Sequence, residues 1–244
     1  MSLTAALPQQ SGASGRDAAE LEALATQAGR DLEHATATEI IQWAVDTFGE
    51  RFCITSSMQE TALSHLASTV QPGIDVVFLD TGYHFAETVG TADAASVTIP
   101  INLVTVRPRQ TVAEQDATLG ADLYARNPDL CCQLRKVAPL ERALQAYDAW
   151  ATGIRRDEGP DRANTPVVAW DARRGKVKIA PFARWTQDDL DSYIVDNGVM
   201  TNPLLHDGYP SIGCWPCTRR VAPGEDPRSG RWAGLSKTEC GIHT

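Results

Sequence analysis

The chain has 244 residues, 43% of them hydrophobic and 22% charged, a balance that excludes disorder throughout and allows one sizeable core. Its 31 acidic against 22 basic residues give a formal net charge of −9, so no global positive field exists to attract nucleic acid or an acidic membrane. No apolar run approaches the ~18 residues of a membrane span, and MSLTAALPQQSGASGR lacks the basic start and apolar centre of a signal peptide. A cytoplasmic location is expected.

Residues 1–16, rich in Ser, Gly, Gln and Ala, read as a flexible leader. A helix is expected from Arg16 to about Glu33. A second starts from Thr36 or Thr38, either hydroxyl serving as its cap, and buries Ile40, Ile41, Ala44, Val45 and Phe48. The rhythm then changes to short apolar runs separated by helical stretches. Phe52-Cys53-Ile54-Thr55 reads as a buried strand, followed by the turn Ser56-Ser57-Met58 and a helix to about Val70. After the break at Pro72-Gly73, Val76-Val77-Phe78-Leu79 reads as the next strand, with Asp80-Thr81-Gly82 at its C-terminal end. A helix follows through Phe85, Thr88 and Val89, and Ile101 to Val106 supplies a third strand. Residues 111–147 look mainly helical, and Ala149-Trp150-Ala151-Thr152 reads as another strand. The segments 167–170 and 176–179 resemble a hairpin, and Thr186 caps a helix that stops at Asn197-Gly198. Such alternation means an α/β domain, a doubly wound and mostly parallel sheet covered by helices, whose ligands bind beyond the strand C-termini. Residues 17–217 form this domain, and 218–244, poor in apolar periodicity, read as a mobile C-terminal tail.

In a reducing compartment the six cysteines point to metal binding or catalysis rather than disulfides. Cys131-Cys132 and Cys214-x-x-Cys217 supply four thiolates, which can hold zinc or an iron–sulfur cluster; spacing leaves both open, and unligated thiols too. A thioredoxin-type pair needs its Cys-x-x-Cys at a helix start after a strand, and Pro210-Ser-Ile-Gly supplies no strand. Cys53, inside an apolar run, reads as a small buried hydrophobe. Residues 214–244 carry five basic against three acidic side chains, a net of +2, on a body of −11. A basic tail on an acidic body either closes over an anionic small ligand or is a solvated terminus. Within it, Lys237, His243 and nearby arginines favour a Cys240 thiolate, Glu239 opposes one, and Gly241 leaves the sulfur unobstructed. The plainer alternative is an incidental cysteine.

Together these residues resemble the assimilatory sulfonucleotide reductases, and more narrowly the bacterial adenosine 5′-phosphosulfate (APS) reductases of actinobacterial and mycobacterial type that carry a 4Fe–4S cluster. The resemblance runs from about Glu39 to Thr244. It is carried by Cys131-Cys132-Gln-Leu-Arg135-Lys136, Gly213-Cys214-Trp-Pro-Cys217 and the ending Glu239-Cys240-Gly241-Ile242-His243. Leu79-Asp80-Thr81-Gly82 and Pro227-Arg228-Ser-Gly-Arg231-Trp232 add to it. It implies a PP-loop-like adenine nucleotide alpha hydrolase fold, with the cluster on Cys131, Cys132, Cys214 and Cys217. It implies that Cys240 takes SO3 from APS and expels AMP, and that thioredoxin or a similar dithiol then releases sulfite, a step of sulfate assimilation towards cysteine. Lys136, Arg162, Arg228 and Arg231 match the positions that hold the phosphosulfate, with Lys136 and His243 beside the nucleophile. Ser56 and Ser57 match the phosphate-loop serines, and Asp80, Thr81 and Gly82 the nucleotide-facing turn.

Three alternatives stand beside this. The substrate could be the 3′-phosphorylated nucleotide (PAPS), or either one; the chain could be a non-catalytic metal-binding module; and a nucleotide-dependent ligase of the same superfamily would carry an S-G-G-x-D-S loop, absent here. The sequence departs from the family in the glycine-free turn after the first strand, in Asp129-Leu130, and in the bulky Trp215. Lys136, four residues after Cys132, is expected one helical turn away, where a cluster would help set it against substrate. A homo-oligomer stays open.

Overall fold

A computed structural model describes residues 15–234, 237 and 239–243; most of the expected leader, residues 1–14, lies outside the described residues. Asp17 opens α1 (Ala18–Asp31) by accepting the Glu20 amide while the Glu20 carboxylate accepts the Asp17 amide. Thr36 and Glu39 repeat this reciprocal pair at α2 (Ala37–Phe48), which is why Thr36 rather than Thr38 is the cap.

Six strands follow: β1 (Phe52–Ser56), β2 (Ile74–Leu79), β3 (Ile101–Val106), β4 (Ala149–Thr152), β5 (Val168–Asp171) and β6 (Lys176–Ile179). They form one sheet in the order β3-β2-β1-β4-β6-β5, parallel except that β5 runs against β6. The expected α/β sheet is the one observed. Winding proceeds from β1 outward to β3 and then restarts at β4 on β1's other side, so a crevice opens beyond the C-termini of β1 and β4.

Successive strand residues face opposite cores. Phe52, Ile54, Val76, Ala149 and Ala151 pack against α1, α2 and α3 (Ala62–Val70). Their neighbours Cys53, Val77 and Trp150 face a second core with Leu140 and Leu144. Ile242 packs against that second core, so part of this sheet face is covered by the tail. Among the described residues, the tail meets the body at several separate points, while residues 222–227 are exposed. Trp232 donates its amide to the Cys217 carbonyl (3.0 Å), and within the tail Arg219 donates to the carbonyl of Gly230 (2.9 Å). No helix among the described residues is long and apolar enough to cross a membrane.

After α4 (Ala86–Thr98), the stretch expected to be mainly helical is broken into α5 (Val112–Leu119), α6 (Leu123–Arg126), α7 (Pro128–Cys132), a π-helical turn (Gln133–Val137) and α8 (Ala138–Ala143). Pro139 accounts for the π turn. It offers no N–H to the Arg135 carbonyl four residues back and crowds that carbonyl, so the preceding turn widens. Lys136 therefore follows Cys132 through a wide turn instead of the expected α-helical one.

The glycine-free turn after β1 still adopts a left-handed residue, Met58, at φ +59°. This costs about 1–2 kcal/mol. It is offset locally: Ser56 Oγ accepts the Met58 amide (3.2 Å), and buried Asn202, which precedes a short 3-10 turn beyond α9 (Gln187–Asp196), donates to the Met58 carbonyl (3.2 Å) and to Thr88 Oγ1 (3.1 Å). Asn202 Oδ1 also accepts the Leu204 amide. Replacing Asn202 with Ala leaves these groups unpartnered in the interior and is expected to cost about 2–3 kcal/mol in denaturant unfolding. A change under about 0.5 kcal/mol would mean the turn holds itself.

Candidate active site

A cleft of about 200 Å³ sits in the crevice predicted by the strand order. Its floor is Ser56 and Ser57 at the end of β1, Leu79 at the end of β2, and Thr152 and Gly153 at the end of β4. Its walls are Lys136, Arg162, Arg228, Arg231, Cys240 and His243. Eight residues singled out in the sequence, scattered over almost 190 positions, thus share one cleft.

Asp80, Thr81 and Gly82 do not line it. Asp80 pairs with Arg107 (2.9 Å), and Thr81 Oγ1 lies 3.3 Å from Cys214 Sγ. Gly82, at φ +74°, packs so closely on Arg135 that a Cβ there would meet a guanidinium nitrogen at 2.9 Å. The cause is Arg135 itself. It is buried, donates Nε to the Thr81 carbonyl (2.5 Å) and Nη1 to the buried Gln115 Oε1 (2.9 Å), and lies over the Tyr83 ring. These contacts draw the turn towards the cysteines and away from the cleft.

Cys131, Cys132, Cys214 and Cys217 line a second, smaller hollow with Tyr83, Tyr124, Pro216 and Trp232. Asn127 caps α7 on the Leu130 amide and aims the adjacent pair inward; the 3-10 turn Trp215–Cys217 brings the other two, anchored by the Trp215 amide on the Tyr83 carbonyl (2.8 Å). Burial pushes the Cys131 thiol up to about 12 and the Cys132 thiol to about 11, with the neighbouring thiols adding to the shift and Arg135 and Lys136 opposing it. Among the described residues no three of His, Cys, Asp and Glu converge closely enough for a single metal ion. The donor set is all soft sulfur, which suits a thiolate-ligated metal or cluster.

Lys136 and Trp232 line both cavities. Burial would lower the Lys136 pKa, but the Cys214, Cys240 and Cys132 sulfurs outweigh it and raise it. Arg231 stacks over Trp232 (4.6 Å) and donates Nη1 to Ser211 Oγ and the Ile212 carbonyl, while its buried Nε has no partner among the described residues. It lies against Gly213, where any Cβ would overlap the guanidinium.

The residues flanking Cys240 are anchored to the body. Glu239 receives both arms of Arg162 (2.7 and 3.0 Å) and one of Arg228 (3.1 Å). Burial alone would raise the Glu239 carboxyl; the guanidiniums outweigh it and hold it below the usual value. Arg174 donates to the Gly241 carbonyl (3.5 Å), and Lys178 to that of His243 (3.2 Å). The His243 ring stacks parallel to Trp150 at 6.3 Å. Burial first, then Lys178, Arg162 and Arg174, push its pKa well below the ordinary value, so it is neutral, with Nδ1 unpartnered. Lys237 pairs with Asp129 on α7, which gives that departure from the family pattern a contact.

Sequence reading missed His84 and Glu60, both in the cleft wall. His84 Nε2 donates to the Leu79 carbonyl (2.8 Å), leaving Nδ1 as a buried acceptor without a partner. Burial lowers its pKa to about 4. Glu60 Oε2 accepts the Ala62 amide at the start of α3. The available signal was position: each lies a few residues beyond a parallel strand's C-terminus.

Gly213→Ala should displace Arg231 from the cleft while leaving the sheet intact. The affinity for AMP measured by calorimetry is expected to fall about tenfold or more; unchanged affinity would show that Arg231 faces no anion.

The phosphoadenosine phosphosulfate reductase domain matches residues 51–220. A protein of Streptomyces coelicolor named adenosine 5′-phosphosulfate reductase is 64% identical over 93% of this chain and 97% of its own length. One of the same name from Mycolicibacterium smegmatis is 54% identical over 92% and 95%. The crystal structure of phosphoadenylyl-sulfate reductase from Candida auris, a phosphate complex, superposes with a TM-score of 0.71 at 27% identity, covering 86% of this chain and all of that one. FMN adenylyltransferase of Candida glabrata, at 14% identity and a TM-score of 0.54, shares the fold over 90% of this chain and 74% of its own. A domain match over most of the chain and relatives this similar along nearly their full length place the chain in the phosphoadenosine phosphosulfate reductase family, as a sulfonucleotide reductase.

Proposed function

We propose that this protein is an adenylyl-sulfate reductase that converts APS to sulfite and AMP through a covalent intermediate on Cys240. The observation that carries the reading is the meeting of Cys240 with Lys136 and Arg231 in one cleft, where neither cation is taken by a carboxylate among the described residues. Relatives more than half identical bear the name of that activity.

The cleft suits the charge problem of the first step. A thiolate approaching a sulfate that is joined to a phosphate meets like charge, and preorganised cations offset the repulsion where it is greatest. Lys136 supplies a point charge, and Arg231 offers a guanidinium matched to tetrahedral oxyanions, with Arg228 in the same cleft wall. Ser56 and Ser57, on the cleft floor at the end of β1, are the residues we assign to the nucleotide's phosphate. Attack of Cys240 Sγ forms an S–S bond and breaks the bond between sulfate sulfur and the phosphate oxygen, whose electron pair leaves on AMP. The AMP phosphate is a stable leaving group, so no general acid is required, which agrees with a neutral His243.

In the second step a thiolate of thioredoxin or a similar dithiol attacks Sγ. Sulfite leaves with the S–S electron pair, and the partner's second thiol resolves the mixed disulfide, so the dithiol supplies both electrons. The docked tail must release Cys240 for that encounter, which is the role proposed for residues 218–244. A reducing, cytoplasmic setting fits both the free thiols and the dithiol donor.

The four-thiol hollow fits an iron–sulfur cluster. The donors are all cysteine, and aromatic rings border them. When bound, such a cluster supplies a cross-link between α7 and the 214–217 turn and a local negative charge. Lys136, on both cavities, is the residue through which that charge is felt in the cleft.

Incubation with APS and no thiol should leave an adduct with the mass of SO3 on Cys240, and Cys240→Ser should show none. An active enzyme without the adduct rejects the mechanism. Lys136→Ala should lower turnover about 10²–10³-fold with the visible absorption of the iron-loaded protein unchanged; full turnover would remove Lys136 from the chemistry.

A further inference from the structure

We infer that Glu239 and Arg162 form a latch that positions Cys240 for attack, and that Arg162 is a positioning residue rather than a ligand of the substrate anion. The inference rests on the proposed reductase activity for its kinetic test, but its geometry stands apart from it.

Arg162 has three donor directions engaged in the docked state. Nε and Nη2 grip the two oxygens of Glu239 at 2.7 and 3.0 Å, and Nη1 donates to Glu158 at 2.8 Å. Glu158 is itself held by the backbone, its Oε2 accepting the Arg155 amide at 2.7 Å. The guanidinium is therefore mounted on the loop after β4 and presents a two-pronged face to the tail. Both side chains are largely withdrawn from water, at 11% and 15% exposure, so the pair is little screened. A fork in this arrangement fixes direction as well as distance.

The carboxylate lies one residue before the nucleophile. Left unpaired, it would oppose formation of the Cys240 thiolate and repel the incoming anion. Gripped by Arg162 and touched by Arg228, its charge is neutralised where it stands. The same grip fixes the backbone leading into Cys240, while Arg174 on the Gly241 carbonyl and Ile242 in the second core fix the backbone leading out. An anion entering the cleft finds the Arg162 charge already matched by Glu158 and Glu239, and meets Lys136 and Arg231, which no carboxylate holds among the described residues. Three of its five N–H groups are committed to carboxylates, and drawing the guanidinium off Glu239 would undock the residue that must react.

The two roles separate by a double-mutant cycle on Glu239→Gln and Arg162→Gln. With a latch, each change lowers kcat about tenfold to a hundredfold, the strength of a charged hydrogen-bonded pair, and leaves KM for APS and the affinity for AMP within about twofold. The double variant is then no slower than the worse single one. A substrate-binding Arg162 predicts the reverse: Arg162→Gln raises KM and weakens AMP, Glu239→Gln improves both by freeing the arginine, and the losses add. Either of those outcomes overturns the inference. Glu239→Asp, which keeps the charge but shortens the arm, should recover part of kcat.

Hydrogen exchange of the Gly241 to His243 amides provides a readout that needs no turnover. It should quicken to the same extent in both single variants and the double one, and unchanged exchange in the singles also overturns the latch. A wild-type protein that forms no adduct with APS, yet shows this exchange pattern, would refute the reductase reading and leave the latch standing.

Discussion

Positive charge held out of water around one cleft is the constraint on which the rest of this structure depends. Lys136 comes from the π turn, Arg162 from the loop after β4, and Arg228 and Arg231 from the chain beyond the second cysteine pair. Burial penalises Lys136, Arg162 and Arg231, and an unpaired buried charge is untenable. Two kinds of partner resolve this. Arg162 is matched to carboxylates, whereas among the described residues Lys136 and Arg231 are met only by nearby sulfur and by neutral acceptors. The second arrangement leaves charge in reserve for a ligand.

Around that charge the tail behaves as part of the core. The sheet face bearing Cys53, Val77 and Trp150 is closed over by Ile242, and His243 stacks on Trp150. Removing the tail would expose apolar surface, so its docking has a hydrophobic component beside the ionic one. Under the proposed two-step reaction the same contacts must break once per cycle. Anchors that are individually modest and spread over Glu239, Gly241, Ile242 and His243 suit reversible docking better than one deep insertion.

Ordinary backbone rules place the two cavities beside each other. Pro139 widens the turn before it, and this turn carries Lys136 to a point where it borders both. Arg135, in the same turn, is buried and bonded to the Thr81 carbonyl, so the loop after β2 is tied to the cysteine hollow. A change in how the four thiols are held therefore has a short mechanical route to the cleft.

Much of this was legible in the sequence because it is local. Hydrophobic runs and their spacing determined the parallel sheet and most helices, the acid three residues past Thr36 identifies the cap, and the cysteine pattern with its terminal Glu-Cys-Gly-Ile-His marked the residues that the fold gathers. What the sequence left open depends on partners distant in the chain. Glu239, read as opposing the nucleophile, is neutralised by Arg162, 77 positions away. Asp80-Thr81-Gly82 follows a strand as expected, yet Arg135 turns it to the cysteines. The basic tail is docked on the sheet among the described residues, because Ile242 meets an apolar face that no local pattern reveals. Periodicity and capping act within a few residues and are written in the chain; charge pairing and the covering of a sheet face act between segments, and only the folded arrangement decides them.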